Sequence, residues 1–248
     1  MTQSLKRALV TGGSAGLGAA AVIWLQANGY DVVVLDRDQP EGADNRVEFV
    51  VCDLASRTQL DTVMPDLIAA GPYDLIFLNA GINATGRFES IDARAHIDVI
   101  RINAEAPMVI TARLFEAGAL RRGGSAVFIS SLSRFTGYPG AASYAASKDT
   151  LAIYAKSMRS FAKTQGITLT VAFPGPLKTD HAERHSPEGA DASKRMQPGE
   201  AATLILTDAL AGKKTSIPGP ANRAFAMVGR VFPKPVTAVM RRLLYSKL

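Results

Sequence analysis

The chain has 248 residues, 47% hydrophobic and 20% charged, an ordinary make-up for a soluble globular α/β protein with a large buried core. No apolar run approaches the roughly 20 residues of a membrane span, and the one cysteine, Cys52, excludes an intramolecular disulfide. The net charge of +6 belongs to the tail: residues 209–248 hold eight Lys/Arg and no Asp or Glu, leaving 20 basic against 22 acidic residues before them, so the body offers no basic stripe for nucleic acid.

The N-terminus runs without a secretory segment into a strand-like run at 8–10, and a cytoplasmic location is expected. Thr11-Gly12-Gly13-Ser14-Ala15-Gly16-Leu17-Gly18 follows, then a helix in which Leu17, Ala20, Ala21 and Trp24 fall at helical spacing and which Asn28-Gly29 ends. Glycines between a strand and a helix permit a tight turn and close backbone approach to a pyrophosphate, whose charge the helix N-terminus favours; a merely structural turn is the alternative. Residues 30–35 are a buried strand, with Asp36 just after it, eighteen residues beyond Gly18. A carboxylate there can accept from a ribose diol and would repel a 2′-phosphate, which favours NAD over NADP. Arg37 could instead hold that phosphate, but Ala15 adds no second cation within the turn.

The next strand is 46–51, then a helix over 57–69, a strand over 73–78, one long helix over 93–120 and a strand over 126–129. Ser131 lies just past that strand, at the carboxyl edge where open α/β sheets bind ligands. A helix over 142–164 begins with Tyr144 and Lys148, whose spacing stacks phenol and ammonium on one face; an ammonium there stabilises the phenolate and lowers a pKa that is otherwise about 10. A strand over 167–173, a helix over 198–211 and a short strand over 215–217 complete the body. Apolar strands alternating with helices predict a Rossmann-type, doubly wound parallel sheet, an α/β fold in a single domain over 1–220 with a basic C-terminal helical extension over 221–248. Residues 179–197 are a long polar loop in which His181 and His185, four apart, read as solvated rather than as metal ligands, and no metal site is expected.

In this order the motifs resemble the short-chain dehydrogenase/reductase family in its compact single-domain form, over residues 6–217. Gly12, Gly16 and Gly18, with Ser14 and Leu17 between, match its cofactor turn; Asn79-Ala80-Gly81 matches its Asn-Ala-Gly after the fourth strand, and Asp53, followed by Leu54, the acid that meets adenine. Pro174-Gly175-Pro176-Leu177-Lys178-Thr179 matches the segment whose Thr meets the nicotinamide end. Asn103, Ser131, Tyr144 and Lys148 match the catalytic tetrad; Ser133 is a neighbour, but the thirteen-residue spacing to Tyr144 selects Ser131. The resemblance implies that Tyr144 is the general acid or base, that Ser131 holds the substrate oxygen, that Lys148 binds the nicotinamide ribose and lowers the Tyr144 pKa, and that Asn103 holds a water linking Lys148 to solvent.

The implied activity is hydride transfer between NAD(H) and a secondary alcohol or ketone, small or hydrophobic, in a homodimer or homotetramer built on the two long helices. The alternative is a non-catalytic NAD(H)-binding regulator of the same fold. The substrate pocket is expected from 85–90, 135–141 and 179–197, with Phe135 and Tyr138 in its wall. The tail departs from the family pattern. Val236, Val239, Met240, Leu243 and Leu244 form an apolar stripe beside Arg241, Arg242 and Lys247, which fits a docked helix, a lid over the pocket or a contact with a membrane surface.

Overall fold

The computed structural model describes residues 5–39, 47–185, 193 and 195–244. Seven strands form one parallel sheet in the order β3-β2-β1-β4-β5-β6-β7: β1 (Lys6–Thr11), β2 (Tyr30–Asp36), β3 (Val47–Val51), β4 (Tyr73–Leu78), β5 (Leu120–Ile129), β6 (Thr168–Ala172) and β7 (Thr215–Ser216). Successive side chains of a strand point to opposite faces, so the continuous apolar runs feed two cores. Ala8, Val10, Val32, Val34, Leu75 and Phe77 pack on one face against α1 (Gly16–Ala27) and α8 (Pro198–Leu210). Leu9, Val33, Leu35, Ile76, Leu78 and Phe128 pack on the other, against α2 (Arg57–Ala69), α4 (Ala106–Glu116) and α6 (Ala142–Thr164). The strand order reverses between β1 and β4, which opens a crevice beyond their carboxyl ends.

The long helix expected over 93–120 is three pieces. Helix α3 (Ala93–Ile100) leads through one wider π turn, Arg101–Glu105, into α4. Pro107 has no N–H to give the Asn103 carbonyl four residues back, and the Ala106 N–H reaches the Arg101 carbonyl, five back, instead. The chain then enters β5 at Leu120 rather than at 126. Leu120 pairs with Tyr73 before the register shifts, and at Gly124 a Cβ would stand 2.8 Å from the Asp74 carbonyl oxygen, so only glycine allows that approach.

Four short or late helices complete the described residues: α5 (Ser133–Thr136), α7 (Asp180–Arg184) inside the expected loop, and a pair, α9 (Pro220–Val231) and α10 (Pro233–Leu244), that forms the tail. Helix α9 docks through Gly229, where a Cβ would stand 2.1 Å from the Phe135 carbonyl oxygen of α5. Helix α10 reaches the same element through Thr237, whose hydroxyl donates to the Thr136 carbonyl at 3.3 Å. Of the expected α10 stripe, Val236 and Met240 are half-buried and Val239 is exposed; the side chains of Leu243 and Leu244, and all of Lys247, lie outside the described residues. No described helix is long and apolar enough to cross a membrane.

Candidate active site

A cleft of about 1330 Å³ runs along the carboxyl edge of the sheet, from the β1–α1 turn to the tail helices. Its first end is a backbone cradle. Gly12 has φ +68°, and a Cβ on it would stand 2.8 Å from the Ala80 Cα; a Cβ on Gly18 would stand 1.8 Å from the Gly12 carbonyl oxygen. Asn79 binds this turn to β4: its amide donates to the Thr11 and Gly12 carbonyls at 3.2 and 3.0 Å, while the Asn79 and Ala80 N–H groups share the Thr11 hydroxyl. The N-cap of α1 is Ala15, which offers no side-chain oxygen, and the first turn has no acidic residue. The first amides of α1 thus face the cleft beside Gly16 and Leu17 with no cap of their own, which suits an anion. These features fit the pyrophosphate of a dinucleotide.

Asp36, Arg37, Asp53 and Leu54 line the same end. The Asp36 carboxylate accepts from the Ser14 N–H at 2.9 Å and from the Arg37 N–H at 2.7 Å, and the Ser14 hydroxyl donates to the Asp38 carbonyl. Ser14 therefore braces the turn instead of facing the cleft. The Arg37 guanidinium is paired with Asp38 at 3.1 Å. Asp53 accepts from the Ala55 N–H at 2.9 Å, and Ser56 caps α2.

The middle of the cleft holds the titratable cluster. Ser131 follows β5, while Tyr144 and Lys148 stand one helical turn apart near the start of α6. The Ser131 side chain stands beside the Tyr144 phenol and favours its ionised form. Lys148 is buried, its ammonium 2.9 Å from the Ile129 carbonyl oxygen and 5.8 Å from the Tyr144 ring centroid. The expectation that Lys148 lowers the Tyr144 pKa is corrected here. Burial raises the phenol above its ordinary value, neighbouring Ser131 opposes this, and burial pushes Lys148 itself down to about 8. The ammonium is turned onto the β5 carbonyl, and desolvation is the leading cause of both shifts.

Asn103 sits in the π turn just behind this cluster. Its amide donates to the Ile82 carbonyl at 2.9 Å and to the Ser147 hydroxyl at 3.0 Å, and its oxygen accepts from the Ile82 N–H at 2.8 Å. Both amide protons are thereby committed, so the side chain clamps 81–82 against α6. Gly81 fills the gap between: a Cβ there would stand 3.0 Å from Lys148 Nζ and 3.2 Å from Asn103 Oδ1. Pro174, Gly175, Leu177 and Thr179 continue the wall, with Thr179 capping α7 and touching the face of Gly16.

The far end departs from expectation. His181 and His185 are not solvated: they lie on and just after α7, half-buried in the cleft wall, ring centroids 4.9 Å apart. Burial, then the charges of His185 and Lys148, holds His181 at about 4, and burial lowers His185. Thr85 fixes His185 Nδ1 at 3.0 Å, and Tyr138 donates to the His185 carbonyl at 3.3 Å while packing edge-on to Tyr144. Phe135 is not in the wall; it is buried against Phe173, beneath Arg230. Residues 186–192 and 194 of the expected pocket loop lie outside the described residues. Asn222, Phe225 and Met240 of the tail close the end instead, and Asn222 lies so near Gly175 that a Cβ there would meet its Oδ1 at 2.5 Å. Among the described residues no group of three His, Cys, Asp or Glu could hold a metal.

The model of the short chain dehydrogenase family matches residues 6–189. An uncharacterized oxidoreductase of Myxococcus xanthus is 30% identical over 190 residues, 71% of this chain and 74% of that protein. The 3-oxoacyl-[acyl-carrier-protein] reductase FabG of Rickettsia typhi is 27% identical over 185 residues, 72% of this chain and 76% of its own. Among solved structures, a short chain dehydrogenase family protein from Francisella tularensis gives a TM-score of 0.79 at 26% identity, covering 89% of this chain and all 100% of that one. BdcA, solved in complex with NADPH, gives 0.71 at 25% identity, covering 86% of this chain and 91% of its own.

Proposed function

The chain belongs to the short-chain dehydrogenase family of oxidoreductases, and on that premise we propose that it reduces a ketone to a secondary alcohol with a nicotinamide cofactor held along the cleft. The observation that carries this reading is that Ser131, Tyr144 and the buried Lys148 line one cleft together with the anion cradle at Gly12 and Gly16. The name of the Rickettsia typhi relative, a 3-oxoacyl reductase, supports the direction.

The cradle and Asn79 would hold the pyrophosphate half of the cofactor, and Lys148 and Thr179 its nicotinamide half. When bound, the reduced nicotinamide supplies a hydride to the carbonyl carbon. Ser131 donates a hydrogen bond to the carbonyl oxygen as its negative charge grows. Tyr144, whose raised pKa keeps it protonated at neutral pH, gives that oxygen its proton. The Lys148 ammonium, 5.8 Å from the ring, stabilises the phenolate left behind. Asn103, by clamping 81–82, keeps Gly81 against Lys148 and fixes the ammonium's position. The outer wall of Tyr138, Phe225, Met240 and the two imidazoles suits a largely apolar ketone with one or two polar groups.

The expected cofactor is NAD. Asp36, Asp38 and Asp53 gather at the adenosine end, and among the described residues the guanidinium there, Arg37, is engaged by Asp38, so a 2′-phosphate would meet net negative charge from them. BdcA holds NADPH, and that is the competing choice. For copies of this chain, the exposed Ile153 and Phe161 of α6 support a homodimer on the long helices. The one cysteine, buried Cys52, suits the cytoplasm.

The test is a ketone panel followed by loss of NADH absorbance. Tyr144→Phe is expected to lower kcat by roughly 10²–10⁴-fold with NADH affinity unchanged. Equal loss of binding and turnover would make Tyr144 structural, and tight NADH binding with no turnover of any ketone or alcohol would favour the regulator. A kcat/KM higher with NADPH than with NADH would overturn the cofactor choice.

A further inference from the structure

Helix α9 has two apolar faces, and the fold uses one. Ala226 and Gly229 are buried against α5. On the other side Ala224, Met227, Val228 and Val231 recur at i, i+3, i+4 and i+7, and all four are exposed, Met227 by 67% and Val231 by 61%. Phe232, in the joint to α10, and Val239 add two more exposed apolar side chains. Around them stand Arg223, Arg230, Lys234, Arg241 and Arg242, all exposed, with no carboxylate anywhere in residues 220–244.

The charge decides what covers this face. A second copy docked here about a two-fold axis would bring the same five cations onto their own images, because such an interface joins a patch to itself. Like charges across a contact oppose it. Copies also have a separate apolar surface on α6. A partner must therefore be apolar in its interior and anionic at its rim, and an in-plane basic amphipathic helix meets both demands at a bilayer. We propose that the outer face of α9, with Phe232, lies on the surface of an anionic lipid membrane. Met227, Val228, Val231 and Phe232 enter the acyl boundary, and the arginines and lysine extend to the headgroup phosphates. The contact is peripheral and weakens with salt. Phe225 and Met240 of the same helix pair line the cleft, so an apolar substrate dissolved in the lipid would meet the wall of its own site; this consequence rests on the proposed function, whereas the docking does not.

The test is co-sedimentation of the full chain with vesicles, and no turnover is read. With phosphatidylcholine vesicles containing about one-quarter phosphatidylserine, at about 0.1 M salt, the protein is expected in the pellet. It should stay in the supernatant with pure phosphatidylcholine. The double variant Met227→Ser/Val231→Ser alters only exposed positions and should lower binding about tenfold or more. Lys234→Gln/Arg241→Gln should weaken it while leaving the apolar stripe whole. NADH binding by each variant reports that the fold is intact. Wild-type protein left in the supernatant with anionic vesicles overturns the proposal, as does equal pelleting of wild type and the serine variant. A fall in oligomer mass of the serine variant without vesicles also overturns it, because the face would then belong to a second copy.

Discussion

His181 is held neutral by its surroundings. Burial, His185 and Lys148 hold its pKa at about 4, below the 6.5 of an exposed imidazole. The unfolded chain therefore binds more protons than the folded one between those values, and stability falls as pH drops through 6.5 towards 4. At pH 5 the loss from this one group is about 2 kcal/mol. Denaturant unfolding of His181→Asn is expected to lack that share of the acid sensitivity, and an unchanged slope between pH 7 and 5 would assign it elsewhere. At this scale legibility divides by distance along the chain. Ser131, Tyr144 and Lys148 could be read because a strand end and one helical turn fix their relation locally. His181 and Asn222 could not, because their neighbours, Lys148 for the one and Gly175 for the other, lie far off in sequence. The direction of the Tyr144 shift is hidden for a related reason: spacing reports where the Lys148 charge stands and says nothing of the desolvation that raises the phenol.

At the scale of elements, the tail depends on one close contact. Gly229→Ala would put a methyl group 2.1 Å from the Phe135 carbonyl oxygen, a clash that only withdrawal of α9 from α5 relieves. Hydrogen exchange of 220–244 is expected to accelerate in that variant while the sheet stays protected; exchange unchanged from wild type would mean that α9 is held by other contacts. Such a helix is hard to see in a sequence, because apolar residues on opposite faces blur the single stripe by which a helix announces itself. The signal that was available is Pro220 at its first turn, a position where proline is favoured. Likewise Thr179 is a helix cap followed by acidic residues, enough to mark α7 inside the expected loop. The break in the 93–120 helix is marked by Pro107 alone, and the π turn that absorbs it sets the angle from which Asn103 reaches Ile82 and Ser147. The two cores and the parallel sheet are written directly in β2, β4 and the end of β5, whose apolar runs admit no solvated face.

Across the whole molecule, the two ends of the cleft share a part. Thr179 caps α7, which carries His181 and leads to His185, and its methyl group lies over Gly16 in the anion cradle, 3.2 Å from where a Cβ would stand. Whatever fills the cradle therefore steadies the wall against which the second reactant must fit. Turnover should be sequential and compulsory, the dinucleotide arriving first and leaving last. Product-inhibition patterns would show it: oxidised cofactor competitive against reduced cofactor, and the alcohol non-competitive against both reactants. A random pattern would mean that α7 keeps its position with the cradle bare. In the ordered scheme the capping threonine serves as a timing device, making the protein indifferent to ketone until it is charged with reducing power.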